Sequence, residues 1–164
     1  MIALKHILVA TDFGEASDAA LAYGREFARA FNATLHALHV ADDVYARLGG
    51  DAYMAVLPDL QKDVEDAARK ELDNLLIDSD PNPLPTQKVV ITSSATAAAI
   101  VQYARDRAID LIIVGTHGRK AVAHLLMGSV AERVVRTAPC PVLTVRNREH
   151  DFVLPDALVK TAEA

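Results

Sequence analysis

Gly115–Val145 reads GTHGRKAVAHLLMGSVAERVVRTAPCPVLTV, and the order of residue types in it decides the architecture. It continues an apolar run, DLIIV (Asp110–Val114), whose leucine and β-branched content is that of a central parallel strand covered on both faces. A glycine-bracketed loop follows. Val130, Val134 and Ala138 then recur at helical spacing, and Pro141–Val145 reads as another strand. Strand, helix-length crossover and strand is the connection that parallel neighbours require.

Within this stretch the spacing Gly115-x2-Gly118-x9-Gly128-Ser129 sets small-residue turns on either side of a nine-residue excursion and ends in a hydroxyl at a helix start. Glycine has no Cβ, so its backbone can take positive φ and let amides approach an anion closely. The first N–H groups of a helix lack intrahelical partners and carry roughly half a positive charge from the helix dipole. The set therefore predicts a phosphate site. Any one of these glycines alone would equally suit a tight turn, and Ser129 alone a helix cap, so the inference rests on the set.

Outward from there the same alternation repeats. His6–Ala10, Thr34–Val40 and Lys88–Ile91 read as strands. Ala16–Phe31, a segment from about Asp59 to Ile77, and a segment striped by Ile100, Ala104 and Ala108 read as helices, the second stopped by the prolines of Pro81–Pro85. Five strands separated by helices predict a doubly wound parallel sheet with helices on both faces. Ligands of such sheets bind beyond the carboxyl ends of the strands, where the strand order reverses. Here those ends are Ala10-Thr11-Asp12 and Gly115–Gly118.

Composition bounds the partners. The chain has 164 residues, 51% apolar but only 5% aromatic, which fits one aliphatic core. Net charge is −5 with both signs interspersed, so no broad positive surface is expected for nucleic acid or an anionic membrane. No apolar run approaches the roughly twenty residues of a membrane span, and the N-terminus lacks a signal-peptide pattern, so a cytoplasmic protein is expected. Cys140 is the single cysteine, which excludes an internal disulfide and fits a reducing compartment.

The opening HILVATDF (His6–Phe13), His39-Val40, DLIIVGTHGR (Asp110–Arg119), the long glycine spacing and the ending GSVAERVVRTAPCPVLTVR together resemble the universal stress protein family, in its ATP-binding branch. The similarity covers about residues 3–146, leaving 147–164 as a C-terminal extension. The resemblance implies strand order 3-2-1-4-5, a nucleotide in the crevice between strands one and four, and a homodimer formed through the fifth strand, Pro141–Val145. ATP, with magnesium, is the implied ligand.

Each implied ligand contact has a physical basis. Gly115 and Gly118 would let backbone amides wrap the phosphates, while Gly128 and Ser129 would offer an N–H and a hydroxyl from the helix start, with Val130 beside them in the nucleotide-binding set. The Asp12 carboxylate would accept bonds from ribose hydroxyls or help hold a metal bridging the phosphates. Ala10 and Thr11 would touch base or sugar through their backbone, and Val40 would read the adenine edge with its N–H and C=O. Arg119, more than its neighbour Lys120, would supply the local positive field that a net-negative protein needs for a polyanion. His117 has no chemistry implied for it.

Other features are less directive. His36 and His39, at i and i+3 of a strand, point to opposite faces, and neither His6 nor His124 has a ligand partner at useful spacing, so no protein-only metal site is expected. Cys140 is expected to pack as a small apolar residue. Thr92–Thr96 stands where many family members have a glycine-containing turn, and Gly14 stands where a serine is common. Ala41–Pro58 is expected to form a flap over the nucleotide. Part of the extension, with Phe152, Leu154 and Leu158, is expected to pack on a partner protomer because wet apolar surface costs roughly 25 cal/mol per Å², with plain disorder as the competing reading.

Phosphate contacts alone do not hydrolyse ATP, since hydrolysis needs a positioned water and a residue that orients it. The sequence has no GK[ST] loop and no catalytic-loop aspartate set. A nucleotide-responsive regulatory module acting on another protein is therefore the expected function. A slow ATPase or self-phosphorylating enzyme, with Ser129 as acceptor, is the alternative.

Overall fold

A computed structural model describes residues 2–48, 57–76, 83–116 and 127–146. The elements in chain order are β1 (His6–Thr11), α1 (Glu15–Phe31), β2 (Thr34–Ala41), α2 (Val44–Leu48), α3 (Leu57–Leu75), β3 (Thr86–Thr92), α4 (Thr96–Asp106), β4 (Leu111–Gly115), α5 (Ser129–Thr137) and β5 (Val142–Val145). The strands form one parallel sheet in the order β3-β2-β1-β4-β5, the order the resemblance implied.

Period-two alternation along the strands divides the core into two layers. Ile7, Val9, Leu35, Ala37 and Ile113 face one side, where Ala20, Leu21 and Ala28 of α1 and Leu72 of α3 cover them. Leu8, Leu38, Ile112 and Val114 face the other, beneath Ile100 and Ala104 of α4 and Ala131 and Val134 of α5. β1 and β4 are apolar toward both layers, which is why neither strand shows polar alternation in the sequence. α1 lies close on the sheet because its one glycine faces inward: a Cβ on Gly24 would collide with the Val9 side chain. The helix stops at Asn32, whose left-handed backbone (φ 52°, ψ 46°) turns its amide back to the carbonyls of Ala28 and Arg29.

Some boundaries differ from the sequence expectation. β3 begins at Thr86, two residues before Lys88, and ends one residue later, because its backbone follows the full length of β2 from Leu35↔Thr86 to Ala41↔Thr92. It is an outer strand, so polar side chains at Gln87 and Lys88 remain in water and Lys88 reaches Asp73 of α3 at 2.6 Å. Part of the expected flap is a regular element, since α2 seats Val44 in the core and the Val44 amide donates to Gln61 Oε1 at 2.9 Å. The rest of the flap, residues 49–56, and the extension, residues 147–164, lie outside the described residues. Asp110 precedes β4 and acts as a staple. Its Oδ2 accepts the amides of Lys5 (2.7 Å) and His6 (2.9 Å), joining the starts of β1 and β4.

Candidate functional site

The carboxyl ends of β1, β2 and β4 and the head of α5 meet at one end of the sheet, and each is fastened by a specific bond. At the end of β1 the Thr11 hydroxyl is buried and lies 3.0 Å from the Ser17 hydroxyl. Ser17 spends its own proton on the Gly14 carbonyl at 2.8 Å, so Thr11 donates to Ser17 and accepts the Phe13 amide at 3.0 Å. Ser17 also accepts the Gly14 amide at 3.1 Å, as does Asp12 Oδ1 at 3.2 Å. Serine at the third helical position thus supplies the cap that glycine at position 14 lacks. This role was readable only from its spacing to Gly14.

Phe13 is held in a left-handed conformation (φ 62°) and stacks on His39, ring centres 4.3 Å apart. His39 Nδ1 donates to the Thr11 carbonyl at 2.9 Å, because a carbonyl can only accept. The ends of β1 and β2 are therefore tied together. Their ladder finishes at Thr11↔His39, one residue before Val40. The Val40 side chain packs with Ile91 and Val89 against the α4–α5 layer of the core. Ala10 and Asp12 are half-buried on either side of Thr11.

Gly115 has a packing reason to be glycine. It is the last residue of β4, and a Cβ there would stand 2.8 Å from the backbone of Ala16 at the start of α1. No described glycine takes positive φ, so at Gly115 close approach replaces the conformational freedom that the sequence suggested. Beyond Gly115, the Thr116 amide donates to the Val145 carbonyl at 2.8 Å and the Thr116 carbonyl accepts the Gly128 amide at 2.6 Å. Gly128's amide, expected to face an anion, is thus already engaged. Gly118, Arg119, His117 and Lys120 lie outside the described residues.

α5 starts immediately after that bond. Its first intrahelical bond is Glu132 to the Gly128 carbonyl, 2.9 Å, which leaves the amides of Ser129, Val130 and Ala131 without an acceptor in the helix. Ser129 and Val130 are exposed at its head, bordering a groove of about 750 Å³ also lined by Ser94, Thr96 and Arg133. Ser129 is the first helical residue, with Gly128 in the capping position.

The field at the β1 end is acidic. Burial, then the neighbouring Asp12 and Glu15 carboxylates, raise the pKa of Asp18 above the ordinary aspartate value. Among the described residues no three side chains of metal-ligating type cluster, so any cation here would need the ligand's own oxygens. Asp12 is the carboxylate nearest in sequence to the β1 terminus that could complete such a set.

The remaining titratable residues divide into structural roles. His36 and His39 do serve opposite sides, one reaching Tyr103 of α4 and the other Phe13. His6, which lacked a sequence-near partner, lies 3.2 Å from His36, a pairing created by the β1–β2 register across thirty positions. Cys140 is half-buried against the α4–α5 core layer, and burial together with the Asp110 carboxylate pushes its thiol pKa up. That is an unreactive thiol. Among the described residues no helix is long and apolar enough to cross a membrane.

Known proteins share this arrangement. The profile of the Universal stress protein family matches residues 3–146. Universal stress protein A homolog 1 of Coxiella burnetii is 32% identical over 145 residues, spanning 88% of this chain and 98% of that protein. The solved structure of UspA from Lactobacillus plantarum superposes with a TM-score of 0.72 at 28% identity, covering 89% of this chain and all of that one. Two more distant structures share the fold. One is a universal stress protein in complex with cAMP (TM-score 0.58, 22% identity, 89% and 99% covered). The other is the Archaeoglobus fulgidus protein in complex with dAMP (TM-score 0.55, 17% identity, 88% and 99% covered). With a parallel sheet in the order 3-2-1-4-5 and a family match over residues 3–146, this chain belongs to the universal stress protein family.

Proposed function

We propose that this protein is a cytoplasmic ATP-binding module whose nucleotide occupancy controls its engagement of another protein. The observation that carries this reading is the head of α5, where three amides without helical acceptors open beside the ends of β4 and β1. Phosphates fit that head, with Ser129 and Val130 beneath them, and Gly118 and Arg119, outside the described residues, complete the proposed set. Ribose and base extend toward Ala10, Thr11, Asp12 and Val40. Magnesium accompanies the phosphates, because the carboxylates of Asp12, Glu15 and Asp18 make the β1 side negative. The adenine nucleotides in the cAMP and dAMP complexes of the two distant relatives support the choice of base.

We place the homodimer contact at β5. It is the outer strand of the sheet, with no strand on its far side among the described residues, and such an edge is a template for pairing. Titrating ATP with magnesium while following thermal unfolding tests the reading. At a hundred times Kd, mass action adds about 2.7 kcal/mol, which raises Tm by roughly 5–10 °C for a chain of this size. No rise with ATP, ADP, AMP or cyclic AMP, and no nucleotide released on denaturing the purified protein, refutes it.

A further inference from the structure

At the amino-terminal end of the strands, away from the candidate nucleotide site, three side chains form a hydrogen-bonded chain. His6 of β1 and His36 of β2 approach through Nδ1 and Nε2 at 3.2 Å, and His36 Nδ1 lies 2.8 Å from the Tyr103 hydroxyl of α4. The rings stand edge to face, 5.3 Å and 5.8 Å between centres. His36 is only 2% exposed, whereas His6 is half open to solvent.

Proton counting limits what this chain can hold. A neutral imidazole has one N–H, so with both histidines neutral each contact has one donor and one acceptor. A single positive charge on the ring pair is better solvated at His6, the hydrated member, than at buried His36. His6 then donates from Nδ1 to His36 Nε2, and His36 donates from Nδ1 to Tyr103. A second proton has only His36 Nε2 to occupy, which would set N–H against N–H. His36 cannot turn to water in place, because β1, β2 and α4 enclose it.

The groups facing the cluster do not relieve this. On the β1 and β4 side the Asp110 carboxylate is committed to the Lys5 and His6 amides. Lys5 adds positive charge there, as its interaction with Asp110 shows. On α4 the Arg107 guanidinium lies 5.8 Å from the Tyr103 ring centre, a further cation. β3 presents Gln87, uncharged, in register with His36. No described carboxylate hydrogen-bonds His36. Burial, followed by the charges of His6 and Arg107, accordingly drives its pKa down to about 4 from 6.5.

We propose that the His6–His36–Tyr103 chain is an acid-triggered latch, in which protonation of His36 beside a charged His6 requires α4 to open from the β1–β2 end of the sheet. The unfolded or opened chain binds the His36 proton below pH 6.5 and the closed one only near pH 4. Closed-state stability is therefore full above 6.5 and is lost as pH falls through that window. Opening should increase about tenfold per pH unit there.

Hydrogen-exchange protection of the Tyr103 and Ala104 amides, measured on the full chain from pH 7 to 4.5, tests the latch. Carboxylates begin to titrate at the acid end of that interval, so the comparison with His36→Gln isolates the His36 contribution. Protection should fall by about two orders of magnitude between pH 6.5 and 4.5, and His36→Gln, which hydrogen-bonds but does not titrate, should flatten that slope. Should His36→Gln fail to fold, NMR titration of the wild-type His36 ring decides. The ring must stay neutral until the α4 amides lose protection. Flat wild-type protection, an unchanged slope in His36→Gln, or a His36 ring that titrates near 6.5 with α4 still protected overturns the proposal.

Discussion

The amide of Gly128 donates to the carbonyl of Thr116 at 2.6 Å, so the residue that follows β4 is joined directly to the residue that precedes α5. This closure fixes where α5 begins, and hence where its three unacceptored amides lie relative to β4. Gly128 has φ −68° and ψ 150°, angles open to any residue. Gly128→Ala should therefore fold with a stability within about 1 kcal/mol of wild type. If phosphates rest against this backbone, its ATP affinity should fall at least roughly tenfold, about 1.4 kcal/mol. Calorimetric titration alongside urea unfolding checks both.

Gly115→Ala and Gly24→Ala should each destabilise by about 1–3 kcal/mol through overpacking, the first against the Ala16 backbone and the second against the buried Val9. For Gly24 this outweighs the roughly 1 kcal/mol that alanine normally gains in a helix. Urea unfolding without nucleotide isolates the packing cost from ligand effects.

Removing the Ser17 hydroxyl should loosen the turn after β1. Ser17→Ala leaves the buried Thr11 hydroxyl without its acceptor and the Gly14 amide with Asp12 Oδ1 alone, which costs about 1–3 kcal/mol. Because Asp12 and Phe13 are set by this turn, ATP affinity should weaken as well. Thermal melts with and without ATP separate the two effects.

The Asp110 staple predicts a second acid transition, below that of His36. Burial alone would raise the Asp110 pKa, but the Lys5 and His6 amides and the nearby positive charges outweigh it and hold the carboxyl below 3.8. A depressed carboxylate contributes stability above its unfolded value and loses it as pH falls through the folded one. Asp110→Asn should thus flatten the stability profile below about pH 4 and leave the slope between 4.5 and 6.5 unchanged. Urea midpoints at half-unit pH steps measure this.

How much was legible in the sequence depends on how local each signal is. β4 and α5 could be read from Asp110–Val145 because DLIIV and the Val130–Val134–Ala138 stripe are short-range patterns. β3 was read short at Thr86 and Gln87, because an outer strand keeps polar side chains in water and its extent is set by the β2 backbone. α2 was hidden in a loop-like stretch because its anchor, Gln61, lies seventeen residues away. The spacing singled out Gly115 for a phosphate, whereas its contact with Ala16 belongs to the packing of α1 on β4, which no spacing within one segment encodes.

Apolar periodicity, a property of neighbouring residues, determined by itself the parallel sheet, and the resemblance carried by the motifs, glycine spacing included, pointed to the family. Which amides remain available at the head of α5, which hydroxyl holds the β1 turn, and that His6 meets His36 were decided only in three dimensions. Each depends on strand register and helix docking between residues distant in the chain. Those relations follow from how whole elements pack, whereas the sequence records only what each element needs to form.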